Sequence, residues 1–410
     1  MNVFKTKARY VDLNNPKYAS LPIQQQSDQQ ALFAMVADSV RSNTVETWFS
    51  LEEFWSLSRM MVVENPFSPW DSEAQTPHKT LKVLTASLVE EIPVRYNSVT
   101  PHGEKVTVSG KIFLPKFPPI KGIIIASHYT IGSSREAPSE SFSFEGIFAT
   151  KGYIVLMSDY LGYGLSSQYI HPYLDVTNTA QVTVDLLKAA LPYLHYRKFI
   201  PNTSELILLG YSQGGAATIG IAQLIEQSYP QFHIKHIYVG AGPYNPAATY
   251  DFCVKANQTQ VPCAVPMIIL GMSYSKQLNL QPHDYFRNPL LKFYRRWILS
   301  KVYSFAELNR LMQDIPLSDL LTPLAFDKKA HPTDLLYEAL KTNDVTHYVP
   351  KAPVYFFHSI DDDMVPFVNS QLIHDALIKK GTEATYDFGH YGSHMNAAID
   401  FFQKIYAHFL

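Results

Sequence analysis

The chain is expected to fold as an α/β protein, with a mostly parallel sheet, helices on both faces and an inserted, mainly helical cap. Three observations lead there. From residue 121 onward, short apolar runs alternate with stretches of helical periodicity; a glycine-flanked serine joins one such strand to one such helix; and between residues 243 and 350 the alternation stops although the apolar content continues. With 410 residues, 46% hydrophobic and 13% aromatic, the chain can bury a large core.

Residues 1–78 read as an N-terminal extension, partly helical, with helical spacing over 28–41 and 50–61 and no catalytic pattern. Two alternating stretches, 84–96 and 105–114, flank a Pro101-His102-Gly103 turn signal and read as an antiparallel pair. Strands are then expected at 121–127, 153–158, 205–209, 236–240, 354–358 and 384–388. Helices are expected at 141–150, 176–194, 214–227, 368–380 and from His394 to the C-terminus. The sheet core therefore spans 79–242 and 351–410. The insertion between them, 243–350, reads as a cap over the site, because a long insertion inside a compact domain usually has a function; an independent small domain is the plainer alternative.

Charge and composition exclude several classes. A formal net charge of −2, with no block of like charge longer than Asp361-Asp362-Asp363, gives no field to attract nucleic acid. No apolar run is long enough to span a bilayer, since Pro262 and Pro266 break the longest one. Residues 2–9 hold no apolar leader core, so no secretory signal is read in the chain. Cys253 and Cys263 are too few for a disulfide framework, and either one bridge closing a short loop or two reduced thiols fits the spacing. The 15 histidines form neither H-E-x-x-H nor a paired His/Cys pattern, so neither a metal nor another cofactor is expected. The run from Asp159 to Gly164 lacks phosphate-loop spacing and reads as a structural aspartate beside a tight turn.

The chemistry centres on Gly210-Tyr211-Ser212-Gln213-Gly214-Gly215. Leu206-Ile207-Leu208-Leu209 before it suits a buried parallel strand, and the small residues after it suit a helix pressed on the sheet. A sharp strand-to-helix turn lifts a serine hydroxyl clear of the sheet and needs small neighbours, which makes Ser212 the candidate nucleophile. A serine nucleophile needs a general base held by an acid, expected after later strands in the order Ser, Asp or Glu, His. Asp361, Asp362 and Asp363 follow one such strand, and Asp362 is preferred because it stands just before Val365-Pro366 opens a helix. His390 and His394 follow the last strand. His394 is preferred as base because Ser393 can cap the helix it opens; His390 is the alternative. Oxyanion donors are expected from the Gln213 amide and from the Tyr129 or Thr130 amide in the loop after residues 121–127. His128 is read as bonding loop backbone.

Together with Asp159-Tyr160-Leu161-Gly162-Tyr163-Gly164, His171-Pro172-Tyr173, His128-Tyr129-Thr130, Glu136-Ala137-Pro138 and Gly240-Ala241-Gly242-Pro243, this motif resembles the α/β-hydrolase superfamily. More narrowly it is similar to the secretory lipase family typified by yeast lipase A and its bacterial relatives, over roughly residues 80–410. The resemblance implies a capped α/β-hydrolase cleaving carboxylic esters with Ser212, Asp362 and His394 as triad. It also implies a small-molecule or lipid ester as substrate, and a secreted or periplasmic location. The loop sequence His128-Tyr129-Thr130 departs from the family's more usual His-Gly. Two rival functions share the motif: a prolyl-type serine peptidase, and a non-catalytic binding protein on the same fold. Acyl length, alcohol group, oligomeric state and a cytoplasmic location without a leader are left open by the residues.

Overall fold

The computed structural model describes residues 10–19, 88–117, 119–141, 143–199, 206–257, 259–381 and 384–408. The segments read as helical at 28–41 and 50–61 lie outside them. Nine strands form one sheet: β1 Val11–Asp12, β2 Val89–Val99, β3 Lys105–Pro115, β4 Gly122–Ser127, β5 Tyr153–Ser158, β6 Leu206–Tyr211, β7 Ile234–Gly240, β8 Val354–Ser359 and β9 Ala384–Gly389. Their spatial order is β1-β2-β3-β5-β4-β6-β7-β8-β9. β2 and β3 pair antiparallel in unbroken register from Val89↔Pro115 to Val99↔Lys105, and β3 runs antiparallel to β5. Every pair from β5 to β9 is parallel.

That pattern follows from burial. β4, β5 and β6 are Val-, Ile- and Leu-rich and nearly continuous in their burial, as strands covered on both faces must be. β2 instead alternates between buried and partly exposed positions. Helices α1 Val176–Tyr196, α2 Gln213–Ser228, α3 Pro246–Ala256, α4 Ala264–Ser275, α5 Leu290–Tyr294, α6 Phe305–Arg310, α7 Thr333–Lys341, α8 Val368–Lys379 and α9 His394–His408 follow, with single turns between them. Asp175 caps α1 by accepting from the Asn178 amide. α1 and α2 approach closely at Gly220, where a Cβ would lie 2.1 Å from Val176 Cγ1. None of the described helices is long and apolar enough to cross a membrane.

Strand order reverses at β4: the chain leaves it for β5 on one side and returns to β6 on the other. The loops after β4 and β6 therefore lie side by side at the carboxyl edge of the sheet, the usual position of a site in such folds. Between β7 and β8 the described chain is helical, with one isolated bridge, Phe286↔Leu321. Its apolar residues, among them Ile268, Met272, Phe286 and Leu340, form a cluster that also takes in Tyr173, Leu174 and Met364, with Met395 packed against it. The insertion thus rests on the segments that carry Asp362 and His394.

Three local differences from the sequence reading have physical causes. β6 continues to Tyr211, two residues beyond the expected end, because it pairs with β7 as far as Gly240. The helix expected at 141–150 is a 3-10 helix over Phe144–Lys151: Gly146 weakens it, and Thr150 Oγ1 donates back to the Ile147 carbonyl at 2.7 Å. Val11–Asp12, in the extension read as partly helical, pairs parallel with β2. Cys253 and Cys263 are both free and buried.

Glu145, in the 3-10 helix, is 3% exposed, and no cation lies within ion-pairing distance of it among the described residues. Burial pushes its carboxyl up to about 7 from 4.5. Its folded value lies above its unfolded one, so the associated stability is fully present below about 4.5 and is lost as pH rises through 7. Glu145→Gln is expected to match the parent in urea unfolding at pH 4 and to exceed it at pH 8, by up to about 3 kcal/mol.

Candidate active site

Ser212 stands at the junction of β6 and α2 with φ 57° and ψ −128°, a backbone conformation that costs a non-glycine residue about 1–3 kcal/mol. Its amide donates to the Gly240 carbonyl at 2.9 Å, and its carbonyl accepts from the Gly215 amide at 2.8 Å. The flanking glycines are there for space. A Cβ at Gly210 would lie 2.1 Å from the Gly214 carbonyl oxygen, and one at Gly214 would lie 2.1 Å from the carbonyl oxygen of Ser127.

Gln213 is the first residue of α2, so its amide has no acceptor within the helix and points where the helix dipole favours negative charge. Its side chain is pinned from behind: Gln213 Nε2 donates to His171 Nε2 at 3.0 Å, while His171 Nδ1 donates to the Leu161 carbonyl at 2.7 Å. Burial, with a smaller contribution from the Lys301 charge, lowers His171 to about 3 and keeps it a neutral acceptor. The loop after β4 lies against the first turn of α2, because the Ser127 and His128 carbonyls are the groups that meet Gly214. In it, His128 Nδ1 donates to the Tyr129 carbonyl at 2.6 Å and the ring stacks on Tyr160 at 3.9 Å, as a backbone-bonding histidine should. Thr130 Oγ1 bonds Tyr173 Oη at 2.9 Å.

The three consecutive aspartates engage two histidines in three different ways. Asp361 pairs with His390 Nδ1 at 2.9 Å on the surface. Asp363 Oδ1 accepts from the His394 amide at 3.0 Å, fixing the start of α9. Asp362 Oδ2 meets His394 Nδ1 at 2.6 Å, and its side chain is fully buried. Thus the structure brings together Asp362 and His394 and sets His390 apart from them. Ser393 accepts from the Asn396 amide at 3.4 Å, a long version of the expected cap. Asp362 Oδ1 accepts from the Met364 and Val365 amides at 2.9 and 2.7 Å. Burial alone would raise the Asp362 carboxyl; the His394 charge, with hydrogen bonds from His358 and His394, outweighs it and holds the group well below the usual carboxylate range.

Sequence reasoning missed His358, the fourth donor to this carboxylate. It is wholly buried, with Nε2 3.3 Å from Asp362 Oδ2, and Ser370 Oγ donating to its Nδ1 at 2.6 Å sets the tautomer. The available signal was its place four residues before Asp362 at the end of an apolar strand. Tyr211 was also missed as a contact: its hydroxyl donates to the His394 carbonyl at 2.8 Å, and the two rings lie 5.0 Å apart. Ser212 follows Tyr211 directly. Among the described residues no direct hydrogen bond joins Ser212 Oγ to His394, and such bonds in unliganded sites commonly tighten when substrate binds. No group of His, Cys, Asp and Glu among the described residues is arranged to hold a metal. Asp159 is structural: its carboxylate accepts from the Ser109 and Ser139 hydroxyls at 2.5 Å each and from the Ser139 amide at 2.8 Å.

The crowding at Gly214 is testable apart from any chemistry. Gly214→Ala should lower unfolding stability in urea by about 2–3 kcal/mol through overpacking against β4. Gly103→Ala, where φ is +79° but the new methyl meets nothing within 4 Å, should cost about 1 kcal/mol.

Residues 143–288 match the family model described as secretory lipase. A secreted triacylglycerol lipase of Malassezia furfur is 22% identical over 55% of this chain, a stretch that spans 46% of that lipase. The rice cell wall degrading esterase LipA from Xanthomonas oryzae superposes with a TM-score of 0.70 at 21% identity, over 81% of this chain and 93% of its own. Candida antarctica lipase A in its closed state gives 0.59 at 16%, over 77% and 75%. At these identities the structural likeness establishes the fold. The chain has the α/β-hydrolase fold and, over residues 143–288, resembles the secretory lipase family.

Proposed function

We propose that the chain is a serine carboxylic ester hydrolase that works through an acyl-enzyme. The observation that carries this reading is the buried Asp362–His394 pair, packed through Tyr211 beside a serine in a strained strand-to-helix turn. The match to secretory lipases and the likeness to named lipases and esterases support it.

In this mechanism Ser212 Oγ attacks the acyl carbon and its proton passes to His394 Nε2. Asp362 accepts the hydrogen bond from Nδ1, orients the ring and stabilises the imidazolium. Charge on the former carbonyl oxygen is met by the Gln213 amide at the start of α2 and by the Tyr129 or Thr130 amide of the adjacent loop. The C–O bond breaks, the alcohol leaves with the proton from His394, and water repeats the sequence to release the acid and free Ser212. Residues 243–350 serve as the cap. Lipid or other small-molecule esters are the substrate class of this reading, which the match to secretory lipases supports.

Hydrolysis of short-chain nitrophenyl esters tests the assignment. Ser212→Ala and His394→Ala should each lose at least about a thousand-fold in kcat, and Asp362→Asn about a hundred-fold or more. His390→Ala, which breaks only an exposed ion pair, should stay within about three-fold of the parent. Retention of most activity by Ser212→Ala would overturn the proposal.

A further inference from the structure

We infer that Glu136 is a positioning residue that couples the oxyanion loop to the insertion, so that the placement of residues 301–305 helps set the geometry at Ser212. This rests on the reading of the loop after β4 as an oxyanion donor. The inference starts from a single carboxylate shared by two distant segments. Glu136 Oε2 accepts from the Gly132 amide at 2.9 Å, the Ser133 amide at 3.0 Å and the Phe305 amide at 3.1 Å, with the Ser133 hydroxyl at 3.3 Å. Phe305 is the first residue of α6, whose amide lacks an acceptor within its own helix. Gly132 and Ser133 follow Tyr129 and Thr130 by only two to four residues.

The surrounding contacts make this a clamp. Ser134 donates to the Lys301 carbonyl at 3.1 Å, and Arg135 Nη2 donates to the Val302 carbonyl at 2.9 Å. At Gly132 a Cβ would lie 2.7 Å from the Tyr303 carbonyl oxygen and 2.8 Å from both the Phe305 nitrogen and Leu308 Cδ1, so the loop packs directly on the backbone and the Leu308 side chain of the insertion. Three amides from two segments converge on one carboxylate oxygen, so the loop and the insertion share a single acceptor. Movement of 301–305 away from the sheet would break the Phe305 bond and release one side of the cradle that shapes residues 129–133. On this side the insertion is a fixed jaw.

The effect should appear in kcat more than in KM, because a loop displaced by a fraction of an ångström weakens binding of the developing oxyanion while leaving the acyl contacts in place. Turnover per active site, with sites counted by phosphonate labelling of Ser212, removes any contribution from misfolded enzyme. Glu136→Ala should lower kcat about ten- to a hundred-fold with KM within about two-fold, and Glu136→Gln, which keeps one acceptor oxygen, should recover part of the loss. Phe305→Pro provides an independent variant. Proline suits the first position of a helix but has no N–H, and Ser304 already has the extended conformation preferred before proline. Phe305→Pro should lose more kcat than Phe305→Ala, which removes the ring and keeps the amide. Equal kcat in the two Phe305 variants, or kcat within two-fold of the parent in Glu136→Ala, would overturn the inference. Ser212→Ala, measured alongside, separates the cases: if it stays active, the hydrolase reading itself fails; if it is inactive while the Glu136 variants are not, only the coupling fails.

Discussion

Close backbone contact at the carboxyl edge of the sheet is the constraint on which the rest depends. Gly210, Gly214 and Gly215 let β6, the end of β4, the first turn of α2 and the loop after β7 meet at distances that leave no room for a single methyl group. The contact holds Ser212 in a conformation it would not choose, and it brings the loop after β4 alongside the free amides of α2. The cost of the strained serine is met by long-range pairing, since β6 is flanked by β4 from Leu206 to Gly210 and by β7 from Leu206 to Tyr211.

The acid and the base are fixed by a different logic, that of saturation. A buried carboxylate is costly unless its lone pairs are occupied, and Asp362 has two amides on one oxygen and two imidazoles on the other. His358 matters for this reason: it fills the last acceptor site without removing His394 from its place. Ser370 in turn fills the far nitrogen of His358, so the chain of bonds ends on a hydroxyl from α8. On the surface, Asp361 and His390 form a pair of the same composition. Exposed to water, it has neither the rigidity nor the electrostatic isolation of its buried neighbour.

Much of this was legible in the residues, and the limits have physical causes. Parallel strands buried on both faces have a compositional signature, so β4 to β8 were found to within two residues of their ends. The Gly-x-Ser-x-Gly turn carries its own steric reason. Asp362 could be chosen among three aspartates by its distance from Pro366, and the structure pairs it with His394 at 2.6 Å. What escaped were contacts between segments far apart in sequence. A histidine that packs behind an aspartate looks like any other strand residue, and a glutamate that receives an amide from residue 305 looks like a local cap. The two-residue strand β1 was missed because such a short stretch has no periodicity; only its neighbour β2 gives it meaning.

That small strand has a consequence for how the molecule behaves among its own copies. β2 is eleven residues long and would be the outermost strand of the hairpin, its free amides and carbonyls open to any other chain in solution. Val11–Asp12 occupies part of that row, the Asp12–Arg95 ion pair at 2.7 Å sets a charged pair beside it, and Tyr18 packs on Tyr193 of α1 to hold the segment down. The stretch around residues 11–18 therefore covers part of the sheet's edge, at Val94 and Arg95, and shields those backbone groups from strand-to-strand pairing with another molecule.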